Sequence, residues 1–259
     1  MRLVPAAPAR VRGGGRAGPG GVCALTATLP ISETFLSIQG EGKLAGVPSF
    51  FIRVSGCNLR CAWCDTPYAS WAPEGAQRTL DALADEAAAS GARHTVVTGG
   101  EPMIFKHVPA LCDALRTRGM HITIETAGTV ATPVACDLMS ISPKLANSAP
   151  VNDARDKDGA WLRLHEARRI NPTALQALLD RHPERQLKFV VARAGDLAEI
   201  EAVLARLTGW DPADVLLMPE GVKPPAAETK AWVVHECIRR GWRYCPRLHI
   251  ELFGNKRGT

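Results

Sequence analysis

From residue 30 onward the chain alternates short β-branched or apolar runs with stretches whose apolar residues recur at helical spacing, the pattern of parallel βα units. Residues 50–54, 95–98, 121–125, 137–142, 187–191 and 214–218 predict six strands. Residues 79–90, 108–118, 172–181 and 196–207 predict helices between them; in the last, Leu197, Ile200, Val203, Leu204 and Leu207 fall on one face. Thr79 and Asp196 stand where N-caps belong, and a final helix over about 225–240 stops at Gly241. The link between the third and fourth strands is only about eleven residues and carries Pro133, too short for a full helix. The repeat is therefore incomplete. The expected fold is α/β, a truncated, TIM-like partial barrel of about six parallel strands whose functional loops lie at the strands' C-terminal ends.

The 259 residues suffice for one sizeable core, and the pattern shows neither an internal repeat nor a second domain, so residues 30–259 are expected to form one unit. Residues 1–29 are rich in Ala, Gly, Pro and Arg without apolar periodicity and read as a disordered tail. A transit peptide and a start placed too early are the other readings of this segment; Ser and an amphipathic period, which a transit peptide would show, are missing. The net charge of +5 does not point to nucleic acid, because Arg2, Arg10, Arg12 and Arg16 supply four of those charges and leave the folded body at +1. No apolar run is long enough for a membrane span and no secretory signal is visible, so a cytoplasmic location is expected. There the eight cysteines would stay reduced, which turns attention to metal binding or catalysis.

Directly after the first predicted strand lies Cys57-Asn58-Leu59-Arg60-Cys61-Ala62-Trp63-Cys64-Asp65-Thr66. Three thiolates at C-x3-C-x2-C spacing can surround one metal centre, and soft sulfur selects iron–sulfur clusters, zinc or copper(I). A cubane cluster takes four ligands and this loop offers three; if no distant cysteine closes the site, one iron keeps an open position. Cys23 lies in the tail, Cys112, Cys136 and Cys237 read as buried small residues, and Cys245 is the distant candidate for a fourth ligand. A second strand runs into Gly99-Gly100-Glu101-Pro102, where glycines let backbone pass close to a ligand and Glu101 or free carbonyls could accept from an ammonium group.

The cysteine loop and the Gly-Gly-Glu-Pro turn together resemble the radical S-adenosylmethionine (SAM) superfamily. The resemblance sharpens with the run Glu33 to Gly42, which contains Gln39-Gly40-Glu41-Gly42, and with Arg53 to Cys57, Cys64-Asp65-Thr66, Thr98 to Pro102 and Ser142-Pro143-Lys144; these look like the 7-carboxy-7-deazaguanine synthases of queuosine and 7-deazapurine biosynthesis. The resemblance implies a carbon–nitrogen lyase, typically a homodimer. SAM would chelate the open iron of a 4Fe-4S cluster, accept an electron and yield a 5'-deoxyadenosyl radical that acts on 6-carboxy-5,6,7,8-tetrahydropterin. Ring contraction with loss of ammonia then gives 7-carboxy-7-deazaguanine. An electron donor such as flavodoxin or ferredoxin is implied. No side chain is assigned a catalytic role, since the cofactors carry the hard step and the protein holds the reactants in line.

Residue by residue, the resemblance gives Cys57, Cys61 and Cys64 to the cluster and Thr66 to Mg2+, which keeps water and substrate oxygens around it. Gly100, Ser142, Pro143, Lys144, Gln186 and Lys188 match SAM-binding positions. Ile38, Gln39, Gly40, Arg53 and Thr98 match substrate positions. Arg53 also has an argument of its own: it alternates with Ile52 and Val54 and so points away from them, beside the cysteine loop. Glu41 and Glu125 could meet the guanidine-like part of a pterin. In short relatives the chain's own end reaches the substrate; here residues 250–259 follow His249, so the end is expected to lie elsewhere, and contacts from Arg247 and His249 stay open. Two other readings remain: a glycyl-radical activating enzyme acting on a partner protein, and a zinc-stabilised interaction module.

Overall fold

A computed structural model describes residues 27–259. The tail expected over 1–29 lies outside the described residues up to 26; Thr28 and Leu29, placed in it by composition, belong to the first strand, where Leu29 is buried. The strands are β1 (Thr28–Ile38), β2 (Pro48–Val54), β3 (Ala76–Thr79), β4 (His94–Gly99), β5 (His121–Thr126), β6 (Leu138–Ile141), β7 (Arg185–Val191), β8 (Val215–Pro219) and β9 (Arg243–Tyr244). The helices are α1 (Leu80–Ala89), α2 (Val108–Thr117), α3 (Ala160–Arg168), α4 (Pro172–Arg181), α5 (Asp196–Leu204), α6 (Ala227–Arg240) and α7 (Leu248–Phe253).

The expected six strands are β2 and β4 to β8, and they run parallel in that order. The sheet is larger than expected, with nine strands in the order β3-β1-β2-β4-β5-β6-β7-β8-β9. β1 is antiparallel to β2 and to β3, while β9 extends the parallel edge. No helix stands between β5 and β6, as the short link predicts. Thr79 caps α1 through Ala82 N at 3.4 Å, and Gly241 ends α6 with φ +69°, a left-handed position glycine takes without strain. Asp196 is not the cap of α5: it is the helix's own first residue, and its carboxylate accepts from Ala192 N and Arg193 N and from Asn147 Nδ2.

Alternation along the strands separates two faces. Phe50, Ile52, Val54, Val97, Ile122, Ile124, Met139, Ile141, Leu187 and Phe189 join the helices in one apolar core. The opposite face is polar: Arg53, Thr98, Glu125, Ser140 and Lys188 point there, lining a cavity. That face is concave. Gln39, just past β1, donates to Glu125 of β5 at 3.1 Å, and Lys43 N donates to Gln186 of β7 at 2.7 Å. In a flat sheet β1 and β7 would be roughly 24 Å apart at the usual strand spacing, so these bonds require the sheet to curl around its polar side.

At the N-terminal end of the polar face, His94 is buried, with Nδ1 at 2.7 Å from Ser49 Oγ and Nε2 at 2.7 Å from Thr123 Oγ1. Burial, and then the neighbouring His121, push it down from 6.5 to about 4. The unfolded chain takes up this proton near 6.5 and the folded one near 4, so the stability it contributes is full above about 6.5 and falls as pH drops through that window. By pH 4 the loss is on the order of 2–3 kcal/mol. Urea unfolding at pH 7 and pH 5 should show the decline, and His94→Gln should remove its share while leaving that of His165, which burial shifts to about 4 in the same way.

Candidate active site

One cavity of about 350 Å³ opens at the C-terminal ends of the parallel strands. Its wall includes Cys57, Cys61 and Cys64 from the loop after β2, Thr66, Gly99 at the end of β4 and Gly100 after it, Ser142 and Lys144 after β6, and Lys188 on β7. Ile38, Gln39, Gly40, Arg53 and Thr98 face the same space. Most of the expected site residues thus meet in one place, although they are spread over 151 positions of sequence between Ile38 and Lys188. Pro143 and Gln186 do not line it: Pro143 is buried, and Gln186 holds Ser140 Oγ at 2.7 Å while accepting from Lys43 N.

The cysteine loop is fastened at both ends. Gly56 N donates to Ala69 O at 2.8 Å and Ala62 N to Ser148 O at 2.9 Å. Burial pushes the Cys57 and Cys61 thiols up to about 12, so both stay protonated until a metal displaces the proton. Cys64 Sγ lies 3.1 Å from Ser70 Oγ and 3.8 Å from Thr66 Oγ1. Among the described residues no three Cys, His, Asp or Glu side chains converge closely enough to hold a single metal ion. Cys245 does not face the cavity; it is buried with Val190, Leu216 and Met218, and its sulfur accepts from Gly42 N at 3.1 Å. Cys112 and Cys237 are core residues as expected, whereas Cys136 is only half-buried.

The glycine pair has a steric reason. Gly99 has φ +129°, and a Cβ on Gly100 would stand 2.0 Å from Gly56 O and 2.6 Å from Ala69 O. Both neighbours are backbone and cannot swing away, so the turn can press against the cysteine loop only without a side chain. Gly100→Ala should therefore destabilise the metal-free protein by about 1–3 kcal/mol, read as a lower urea midpoint with unchanged slope. Glu101 departs from its expected role. It is fully buried, and its carboxylate accepts from Thr126 Oγ1 at 2.8 Å, Met103 N at 3.0 Å and Ala127 N at 2.7 Å. It ties the end of β4 to the end of β5, and it lies outside the cavity lining.

The opposite wall is a chain of charges. Arg53 Nε donates to Glu33 Oε1 at 2.6 Å, and the Tyr68 hydroxyl donates to the same oxygen at 2.9 Å. Burial works against the Glu33 carboxylate, but Arg53 outweighs it and holds the carboxyl below its usual range. Phe35 and Phe51 stack beside them at 4.8 Å. Deeper in, Glu125 accepts from Gln39 Nε2 and from Thr98 Oγ1 at 2.7 Å. Glu41 is committed to two cations, Lys188 and Arg247; despite burial, the pair Glu41 and Lys188 stays ionised, with the acid shifted down and the lysine up.

The end of the chain corrects an expectation. Asn255 to Thr259 line the cavity, as does His249. Leu248 N donates to Gly40 O at 2.9 Å, and a side chain on Gly40 would collide with His249, which explains the glycine. After α7 the chain turns at Gly254 and comes back across β1, where Arg257 meets Glu33 at 3.1 Å and Glu74 at 3.0 Å and stacks over Tyr68. Arg247 pairs with Glu41 and Asp65 outside the lining. Sequence reasoning missed Tyr68, Phe35 and Arg257; their signal is pairwise and long-range, and only the curled sheet brings it together.

A sequence profile of the radical SAM superfamily matches residues 51–170. The 7-carboxy-7-deazaguanine synthase of Rhodopirellula baltica is 47% identical over 242 residues, 93% of each chain. That of Halobacterium salinarum is 44% identical over 235 residues, covering 88% of this chain and 91% of the relative. The crystal structure of QueE from Escherichia coli superposes with a TM-score of 0.66 at 28% identity, over 86% of this chain and 95% of that one. Identity at this level over nearly the whole described fold, with the cysteine loop and the glycine turn on one cavity, makes this chain a member of the 7-carboxy-7-deazaguanine synthase family of radical SAM proteins.

Proposed function

We propose that this chain is the lyase that converts 6-carboxy-5,6,7,8-tetrahydropterin to 7-carboxy-7-deazaguanine with loss of ammonia, in queuosine or 7-deazapurine biosynthesis. The observation that carries the reading is the shared cavity: three thiols on one side and Gln39, Arg53, Thr98 and Glu125 on the other. A polar wall of this kind suits a small heterocycle, not the backbone of a partner protein, so the glycyl-radical activating alternative gains nothing from the site. The radical SAM profile over the cysteine loop sets aside the zinc module.

The three cysteines would hold a 4Fe-4S cluster by their sulfurs, with SAM against Gly100, Ser142 and Lys144. When bound, the cluster and SAM supply one-electron reductive cleavage of a sulfonium and hence hydrogen abstraction. The chain's own residues do the rest by binding and orientation. Lys144 Nζ is held by Ser142 O at 2.9 Å and Ser142 Oγ at 2.8 Å, which places a positive charge at the cavity beside Trp63. Arg53 is anchored on Glu33 through Nε, so its outer nitrogens are the ones available for a carboxylate. Glu125 faces the cavity with an acceptor edge fixed by Gln39 and Thr98, suited to the N–H groups of a pterin's guanidine-like part; Glu41, taken up by two cations, is not. Thr66 Oγ1 is the proposed Mg2+ ligand, the remaining oxygens coming from substrate, SAM and water.

The open, curled sheet supports reading the fold as a truncated barrel. A homodimer and a flavodoxin or ferredoxin donor belong to the same proposal, as does a cytoplasmic location; among the described residues no helix is long and apolar enough to cross a membrane. The test is product analysis. Protein reconstituted with iron and sulfide without oxygen, then given SAM, Mg2+, dithionite and the carboxypterin, should release 7-carboxy-7-deazaguanine and ammonia; a loaded protein that yields neither refutes the assignment.

A further inference from the structure

Arg60, between the first two cysteines, is anomalous among the arginines of this fold. Arg53, Arg169, Arg240 and Arg247 have side chains at most 15% exposed, and each pairs with a carboxylate. Arg60 is 8% exposed, and among the described residues no carboxylate pairs with it. Its Nη1 donates to Cys57 O at 2.8 Å and Leu59 O at 2.7 Å, its guanidinium lies 3.7 Å over the ring of Trp161, and its Nε is buried without a partner. The backbone around it is pinned, with Arg60 N donating to His165 Nδ1 at 3.2 Å and His165 Nε2 meeting Ser148 Oγ at 2.9 Å. A cation held this rigidly out of water is unfavourable unless an anion lies near. The groups on its own loop that can carry negative charge are the thiols of Cys57, Cys61 and Cys64, and its guanidinium is bound to the backbone of the first of them, with Nη1 2.8 Å from Cys57 O.

Resting on the reading that these thiols hold an iron–sulfur cluster, we propose that Arg60 is the built-in counter-charge of that cluster, a positioning residue that eases its one-electron reduction. Three thiolates give the site negative charge, and reduction adds one more. A fixed cation in a low-dielectric wall favours the reduced state more than the oxidised one and so raises the potential. The carbonyls of Cys57 and Leu59 and the face of Trp161 hold the guanidinium in place without neutralising it.

The experiment is a dithionite titration of the reconstituted full chain, followed by electron paramagnetic resonance without SAM, together with iron content. Each reduced cluster takes one electron from the titrant. Arg60→Met, which keeps bulk and removes charge, should load iron like the wild type and show a midpoint shifted to more negative potential. Arg60→Lys should recover most of the shift, and Trp161→Leu, which keeps the charge, should move it less than Arg60→Met. An unchanged midpoint in Arg60→Met at equal iron content overturns the proposal and leaves Arg60 a loop strut. If Arg60→Met loads no iron, Arg60→Lys decides: loading supports the charge, and failure in both overturns it. Wild-type protein that takes up no cluster refutes the cluster reading itself, a result distinct from all of these.

Discussion

Cys61→Ala is expected to lose iron and turnover together, with product falling to background. Among the described residues the loop supplies all the thiols at the cavity wall, and two cannot hold a cubane cluster that three would hold with one position open. Cys245 cannot replace the missing sulfur, because it is buried among Val190, Leu216 and Met218 and engaged by Gly42 N. Cys112→Ala is the matching control: that thiol sits in the helix-side core, so its loss should lower stability by about 1 kcal/mol and leave iron content intact. Iron and sulfide assays on anaerobically reconstituted protein read both. Full iron loading of Cys61→Ala would show that the loop is not the cluster site.

Arg53→Ala is the second large effect, and of a different kind. A charge-assisted bidentate contact to a carboxylate contributes about 1.5–3 kcal/mol, so kcat/KM for the carboxypterin should fall roughly 10- to 100-fold while iron content and cleavage of SAM without substrate stay near the wild type. Arg53→Lys should recover part of the loss, since a point charge keeps the attraction but not the fork. Glu33→Gln separates binding from support. It leaves the Arg53 charge in the cavity but loosens the anchor made through Nε, so its effect should be smaller. Equal loss of iron in Arg53→Ala and Cys61→Ala would make Arg53 a structural residue.

The parallel core was legible because buried parallel strands are short apolar runs and their helices carry apolar stripes; β2, β4 to β8 and five of the helices follow from that pattern alone. β1 was not, for a local reason. Its register shifts between Ile31 and Glu33, so Leu29 and Ile31 point into the core while, past the irregularity, Phe35 faces the cavity and Leu36 is exposed. A bulge breaks the two-residue period on which strand reading depends. β3, with the sequence Ala-Gln-Arg-Thr on a sheet edge, has no apolar face to read. α3 buries only His165, so its place is set by hydrogen bonds to the cysteine loop that no stripe announces.

The site divides the same way. Spacing exposed the three cysteines and the glycine pair, because both are local devices. Arg53 was legible from its alternation in β2. Glu101 was misread because a carboxylate at a turn looks available for a ligand until its three donors, two of them on the next strand's end, are known. The chain end was misread because residue count does not measure reach: α7 and the turn at Gly254 fold residues 255–259 back over the cavity.

The central claim is a cluster held by three sulfurs, with its fourth metal corner open inside the cavity that also takes the pterin. The most direct measurement is the electron paramagnetic resonance spectrum of the reduced, reconstituted protein titrated with SAM. A corner open to SAM predicts a saturable change in the signal as the ligand is added, lost in Cys61→Ala along with the cluster. A spectrum of the fully loaded protein that SAM leaves unaltered would mean the corner is already filled, and would contradict the account.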